Sequence, residues 1–455
     1  MIVFFGAVVL GLMVTIYYFI ISSKMNKAAI AFSAGAIVLF LAAILSRFFP
    51  GDITEKMKLL TLDDLSTYVD FKTLGLLIGM MILIPFIEKS GFFQIVAIYV
   101  VKLSKGNLKS LFIITGFIVA LCSAFLNNVS TVMVFVPIIL AITDSINKNP
   151  FPFLIMVILS ANLGGAATLI GDPPNMLVGF AADISFVEFL VNLSPVVFIA
   201  IATVIFLILK KEKKYFSLSD EQKDIMNKFL KADPKMEIKD KKLLKISLTV
   251  FVGAMIGFVL PSDLGIDPSL VSLLAAAIIL LILKVNNETM EYIFKKIEWE
   301  TIFFFLGMFT VIYGLQAAGV IDQLVNLLVT VFPNTFFLIL FVLWFSLLLS
   351  GFLSAVPMVM IMIPLVQSLV SNPALGFVSN SSLTETIWWA LVLGACFGGN
   401  TTSVGAAANI VVTGMSKNLE KGSITFSNYV RYSFPKVMIT GIIASVYIII
   451  RIVLF

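Results

Sequence analysis

Residues 164–175 read Gly-Gly-Ala-Ala-Thr-Leu-Ile-Gly-Asp-Pro-Pro-Asn, in the middle of an apolar stretch, 153–180, long enough to cross a bilayer. A continuous helix disfavours these residues, because glycine forms helix poorly and proline removes a backbone donor. A charged side chain in hydrocarbon costs about 2.5–3.5 kcal/mol. Broken backbone at that depth persists only where it is buried in protein or lines a wet cavity. The stretch therefore predicts a helix interrupted at a substrate or ion site. A second, weaker copy, Gly-Gly-Asn-Thr-Thr-Ser-Val-Gly-Ala-Ala-Ala-Asn, occupies 398–409. Two broken helices in matching positions of two halves point to the binding site of a transporter.

Composition places both breaks in a polytopic membrane protein. Of 455 residues, 60% are hydrophobic and 13% charged, whereas a soluble domain carries about 25% charged residues. There is no histidine, which excludes histidine metal ligands, general bases and proton relays. Cys122 and Cys396 lie in apolar segments and read as small buried core residues. The net charge of +5 is small and gives no reason to expect a nucleic-acid partner. Met1 to Ser22 lacks a basic leader and a clear cleavage site, so it reads as a retained span rather than a signal peptide.

Hydropathy predicts an all-α protein of ten spans and two re-entrant hairpins. The spans are 2–21, 28–46, 71–88, 153–180 (broken), 187–209, 246–261, 269–284, 300–317, 386–414 (broken) and 434–454. The hairpins are 110–125 with 131–146, around a polar tip at 126–130, and 335–371 with its tip near Ser354. Residues 49–70 are an acidic connection with an interfacial helix, and 91–104 and 319–332 also read as interfacial. Residues 210–245 form a Lys- and Glu-rich linker between a first repeat, 1–209, and a second, 246–455.

The repeat is visible residue by residue. Ser123–Pro137 lies over Ser350–Pro364 with seven of fifteen positions identical and no gap. Thr73, Gly79, Met80 and Gly91 fall over Thr301, Gly307, Met308 and Gly319. Gly164, Gly165, Thr168, Gly171 and Asn175 fall over Gly398, Gly399, Thr402, Gly405 and Asn409. Five crossings per half force the second copy upside down. Placing 210–245 in the cytoplasm puts all but five of the 31 Lys and Arg on cytoplasmic segments, the exceptions being Arg47, Lys56, Lys58, Lys72 and Arg451. The external connections 181–186, 262–268, 318–334 and 372–385 carry none. Both chain ends are then external.

The tips and breaks are expected to meet near the midplane. Helix N-termini there favour an anion, and broken C-terminal ends offer carbonyls to a hard cation. At the first tip Asn127, Asn128, Ser130 and Thr131 supply neutral donors and acceptors, with Ser123 about one turn upstream; Ser354 marks the second. Gly165, Thr168, Gly171 and Asn175 belong to the first break, and Gly399, Asn400, Thr401, Thr402, Ser403 and Asn409 to the second. The structural alternative is that these groups only satisfy backbone freed by the breaks. Asp172 is the carboxylate placed deep in a span, since Glu88, Asp144, Asp322 and Glu385 sit near ends. It can carry a proton or pair with a cation, or cap the helix that starts at Pro173.

The Gly164–Asn175 and Gly398–Asn409 elements together resemble the arsenite permease and sodium–proton antiporter family. That family includes the melanosomal P protein and belongs to the ion transporter superfamily, with citrate and dicarboxylate carriers. The resemblance implies a homodimer in the plasma membrane, with a scaffold and a mobile transport domain working by elevator-type alternating access. It implies a small inorganic or organic ion as substrate and Na⁺ or H⁺ as coupling ion, with no other cofactor. In related dicarboxylate carriers a Ser-Asn-Thr motif at each tip helps bind carboxylate and sodium. Asn127-Asn128-Val129 keeps the central asparagine, and Ser123 matches an upstream serine, implying a sodium site near Ser123, Asn128 and Gly165. Ser354-Ala355-Val356 keeps only the serine. Antiporter-like members often carry Asp-Asn at both tips; here both acids are replaced. That leaves Asp172 as the obvious titratable group and suits a neutral or anionic substrate such as arsenite.

The leading expectation is a secondary transporter of a small ion or anion. The alternatives are a sodium–proton antiporter, a sodium-coupled citrate or dicarboxylate carrier and, from another class, an ion channel, which needs no coupling ion. No Ser-Lys or paired-aspartate constellation lies in the spans, so an enzyme is not expected. The predicted topology is checked by single cysteines: Ser379→Cys should react with a membrane-impermeant thiol reagent on intact cells, and Asp224→Cys only after permeabilisation. The opposite pattern would invert the assignment.

Overall fold

The computed structural model describes residues 2–22, 25–48, 55–230, 238, 240–260 and 266–454, and every regular element among them is helical. The first half comprises α1 (Ile2–Ser22), α2 (Lys27–Phe48), the single turns α3 (Glu55–Lys58) and α4 (Leu65–Tyr68), α5 (Phe71–Lys89) and α6 (Phe92–Leu103). It continues with the hairpin α7 (Leu108–Phe125) and α8 (Asn128–Ser145), the broken pair α9 (Phe151–Gly165) and α10 (Pro173–Ala181), and α11 (Phe186–Lys211). The linker holds α12 (Asp220–Phe229). The second half runs α13 (Lys241–Val259), α14 (Pro268–Ile282), α15 (Asn287–Lys296), α16 (Trp299–Ala317) and α17 (Val320–Val331). Its hairpin is α18 (Thr335–Leu353) and α19 (Ala355–Val370), its broken pair α20 (Ser381–Gly398) and α21 (Ala407–Ser416), and its last helix α22 (Phe426–Leu454).

Ten described helices are long and apolar enough to cross a membrane. Seven of them are expected spans: α1, α2, α5, α11, α13, α16 and α22. The other three are the hairpin arms α7, α8 and α18, with α7 and α8 at 18 residues each rather than the sixteen of 110–125 and 131–146, while α14 and the pieces of both broken helices do not meet that measure. The first tip is also tighter than 126–130. Helix α8 resumes at Asn128, because the Asn127 side chain accepts the Val129 N–H at 2.7 Å. Ser130 and Thr131 are therefore helical.

Three connections differ from expectation. In place of one interfacial helix, the described part of 49–70 holds α3 and α4; residues 49–54 lie outside the described chain. The linker is shorter, since α11 continues to Lys211 and α13 starts at Lys241; residues 231–237, 239 and 261–265 are outside the description. Helix α15 was not expected at all. It is polar, starts where Asn286 accepts the Thr289 N–H at 2.9 Å, and buries only Ile293.

The internal register is preserved in three dimensions. Helices α16 and α17 repeat α5 and α6 at a constant offset of 228 residues, and Gly91 and Gly319 both adopt left-handed backbone before the second helix of each pair. Helix α2 packs on α16 as α14 packs on α5. Both contacts are backbone-close: a Cβ on Gly307 would run into the Ala31 backbone, and one on Gly79 would run into Ser272. Small residues at such crossings let membrane helices approach where no hydrophobic drive holds them together. Likewise α7 packs on α9 and α18 on α20, with Gly164 against the Ala120 backbone and Gly398 against the Leu347 backbone. The halves interlock, because α10 packs on α19 and α21 on α8.

Gly398→Ala should lower thermal stability in detergent by roughly 1–3 kcal/mol through overpacking against backbone. Gly253→Ala meets open space in α13 and should be neutral or slightly stabilising. Equal melting of the two variants would refute the close-approach argument.

Candidate functional site

Each break leaves carbonyls with no helical partner, and one asparagine answers each set. Asn175 Nδ2 donates to Gly165 O and Thr168 O, both at 2.7 Å. Asn409 Nδ2 donates to Gly399 O and Thr402 O, both at 2.8 Å. The two threonines tie the breaks to the hairpins: the Thr168 hydroxyl donates to Ala124 O, and the Thr402 hydroxyl to Gly351 O at 2.5 Å. The remaining amide oxygens are reached across the pseudo-symmetry. Asn162 Nδ2 donates to Asn409 Oδ1 at 2.7 Å and to Asn400 Oδ1 at 2.8 Å, while Cys396 Sγ donates to Asn175 Oδ1 at 3.1 Å. Asn162 and Cys396 occupy the same repeat position.

In front of this network lies a cavity of about 90 Å³, space for a few waters or a small ion. Its walls are the starts of four helices: Asn128 and Val129 of α8, Pro173 and Pro174 of α10, Ala355 to Pro357 of α19, and Ala407 and Ala408 of α21. Asp172 faces it from the first break, Asn127 and Ser354 from the tips, and Lys27, Glu298 and Thr301 from α2 and the start of α16. Asn127 Nδ2 donates to Glu298 Oε1 at 2.7 Å, and the Thr301 hydroxyl to Glu298 Oε2 at 3.0 Å.

Asp172 stands at the N-cap of α10 but makes no capping hydrogen bond. The reason is local: prolines at the first two helical positions carry no N–H. Asp172 thus holds the N-cap position of the helix that starts at Pro173, without the side-chain capping bond. The carboxylate instead meets the Asn128 amide and lies within electrostatic range of Glu298. Ser354 holds φ 71° and ψ 151°, a region nearly reserved for glycine, at a cost of about 1–3 kcal/mol that clusters at functional sites.

Of the residues singled out from sequence, Asn127, Asn128, Asp172 and Ser354 line the cavity. Thr168, Asn175, Asn400, Thr402 and Asn409 lie behind it in the amide network. Ser123 donates to Asn128 Oδ1 at 2.5 Å. Gly165 leaves room for that amide, since a Cβ there would sit 2.5 Å from Asn128 Oδ1. Gly171 packs on the Gly165 carbonyl, and Gly399 faces the Gly405 carbonyl. Thr131 bonds its hydroxyl to Asn127 O at 3.2 Å, and Ser130 is half-buried on α8. Ser403 is buried, and the buried Thr401 hydroxyl finds no partner among the described residues. Around the sodium site expected from the resemblance, Asn128 Oδ1 accepts from Ser123 and Gly165 O from Asn175. Among the described residues no group of three or more His, Cys, Asp or Glu could hold a metal.

Lys27, Asn162, Glu298 and Cys396 were missed. Glu298 had a signal, since it sits over Asp70 in the register that aligns Thr73 with Thr301. Asn162 is a lone amide in an apolar run, and nothing in its spacing says that it reaches the other repeat.

The chain matches the citrate transporter family, CitMHS, over residues 16–394. It belongs to that family. An uncharacterised transporter of Mycobacterium tuberculosis is 32% identical over 452 residues, 98% of each chain. A 46 kDa membrane protein of Mycobacterium leprae is 31% identical over 448 residues, 98% of this chain and 99% of the relative. The human P protein is 26% identical over 461 residues, covering 84% of this chain and 54% of that protein. The crystal structure of the YdaH transporter of Alcanivorax borkumensis aligns with a TM-score of 0.61 at 14% identity, over 93% of this chain and 98% of that one. This member of the citrate transporter family is thus a multi-pass membrane transporter with a YdaH-like fold.

In this transporter Asn162→Ala should strand two buried amide oxygens at about 1–3 kcal/mol each, read as a lower melting temperature. Cys396→Ser keeps a donor for Asn175 and should melt like the parent, whereas Cys396→Ala should melt lower. Identical melting of the two Cys396 variants would show that the thiol contact contributes nothing.

Proposed function

We propose that this transporter carries a small anion in company with a cation, by elevator-type movement of the hairpins and broken helices against α1, α2, α5, α13, α14 and α16. The observation that carries the reading is the lopsided chemistry of the cavity. On the second-repeat side Ala355, Ala407 and Ala408 open helices α19 and α21 with backbone N–H groups and no carboxylate. Such helix starts attract anions. On the first-repeat side Pro173 and Pro174 remove the first two donors of α10, and Asp172 with Asn128 offers oxygen ligands. That half suits Na⁺ or a proton. Arsenite, citrate and smaller carboxylates are the anion-type candidates. The charge bias argues for a plasma-membrane orientation with the 210–245 side cytoplasmic.

A second reading, cation–proton exchange without an anion, is favoured by the facing carboxylates Asp172 and Glu298. The two readings separate in proteoliposomes. Labelled arsenite, citrate or succinate uptake should rise with an inward Na⁺ or H⁺ gradient. Asp172→Asn should lose that gradient dependence, and Ala406→Asp should abolish uptake by placing a carboxylate on the anion side. A Na⁺-driven proton flux with no uptake of any anion would establish the exchanger instead.

A further inference from the structure

Glu298 does not belong to the hairpins or the broken helices. It precedes α16, yet it accepts the amide of the first tip at 2.7 Å. Its counterpart in the inverted repeat is Asp70, which precedes α5. The likeness extends to bonding. Asp70 caps α5 through the Lys72 and Thr73 N–H groups, and the Thr73 hydroxyl donates to it as the Thr301 hydroxyl donates to Glu298. The tip residues also correspond, Asn127 lying over Ser354.

One acid therefore has its tip and the other does not. Asp70 faces a cavity of about 440 Å³ near the far end of α16, beside Tyr313 and Gln316. The opposite wall of that cavity is α19 itself, at Met360, Ile363, Pro364 and Gln367. These residues follow Ser354 by 6 to 13 positions, or roughly 9–20 Å along a helix. A slide of that size along α16 carries Ser354 from the Glu298 end to Asp70. Ser354 is suited to the meeting, because its hydroxyl does not cap α19 and remains a donor for a carboxylate.

We propose that Glu298 and Asp70 are alternate docking carboxylates for the two tips. Glu298 positions the Asn127 tip in the conformation seen here, and Asp70 positions the Ser354 tip when the moving bundle reaches the opposite face. This rests on the elevator reading above, and it adds the residues that hold each end-state. Neither acid carries the cargo. Each sets the population of one end-state through a charge-assisted hydrogen bond, which contributes about a tenfold bias or more.

The test uses the full chain with Cys122→Ser and Cys396→Ser, in right-side-out and inverted vesicles. Val356→Cys, on the cavity wall, reports from which face the site is reached. Glu298→Gln should raise its labelling from the face opposite the 210–245 linker about tenfold. Asp70→Asn should lower that labelling by a similar factor, while asparagine keeps the helix cap. Shifts of opposite sign are not expected from two merely structural lesions. Separately, Asn127→Cys with Glu298→Cys and Asp70→Cys with Ser354→Cys should each cross-link, in exchanging fractions of the protein. If Val356→Cys reacts from both faces but the Asp70–Ser354 pair never links, or both variants shift labelling alike, the docking proposal falls and the elevator stands. Labelling from one face only overturns both.

Discussion

Backbone freed at two helix breaks, deep in an apolar protein, has to be satisfied without bulk water. Each unpaired group there costs several kcal/mol. Asn175 and Asn409 meet the requirement by folding back ten residues onto Gly165 and Gly399. That reach closes each break into a compact loop, and it needs glycines where carbonyl and amide crowd together, as at Gly171 and Gly405. Once both Nδ2 groups are engaged on backbone, the two Oδ1 atoms still need donors. Those donors come from the partner repeat, Asn162 for one and Cys396 for the other. The two halves are thus held in register by what is left over after each break has been repaired.

That constraint divides the polar residues of the membrane core. Thr168, Asn175, Thr402 and Asn409 are engaged with backbone, and replacing them attacks the scaffold of the site before any ligand is concerned. Asn127, Asn128, Asp172 and Ser354 line the cavity instead. The division follows from position alone, since the residue types in the two groups are much the same.

The spans and the repeat were legible because they rest on hydropathy and on glycine, threonine and asparagine in one order. Long apolar runs and aligned Gly79 and Gly307 are local signals with a direct packing cause. What escaped depends on distance between segments. Helix α15 has too little apolar surface for periodicity to reveal it, and only Ile293 is buried. Glu298 lies just before a span, and only the fold brings the Asn127 tip to it. Cys396 read as filler because its hydrogen bond goes to a residue 221 positions away. The tip at 126–130 was drawn too wide because polarity was taken for irregular backbone, whereas one capping bond from Asn127 restarts the helix.

Comparing the repeats position by position separates what stays alike from what has diverged. Ser123 and Ser350, Thr168 and Thr402, Asn175 and Asn409 pair like with like, and all of them serve hydrogen bonds inside the protein. The cavity positions do not pair: Asn128 falls over Ala355, Asp172 over Ala406, and Pro173 and Pro174 over Ala407 and Ala408. The helices on the other side of the cavity keep their symmetry, with Thr73 and Thr301 each following an acid by three residues. The cavity wall is thus chemically one-sided, while the helices facing it, α5 and α16, keep an acid and a threonine in the same register at their starts. Inverted repeats account for the likeness of those two helix starts, and the divergence at the cavity wall makes its two sides chemically different.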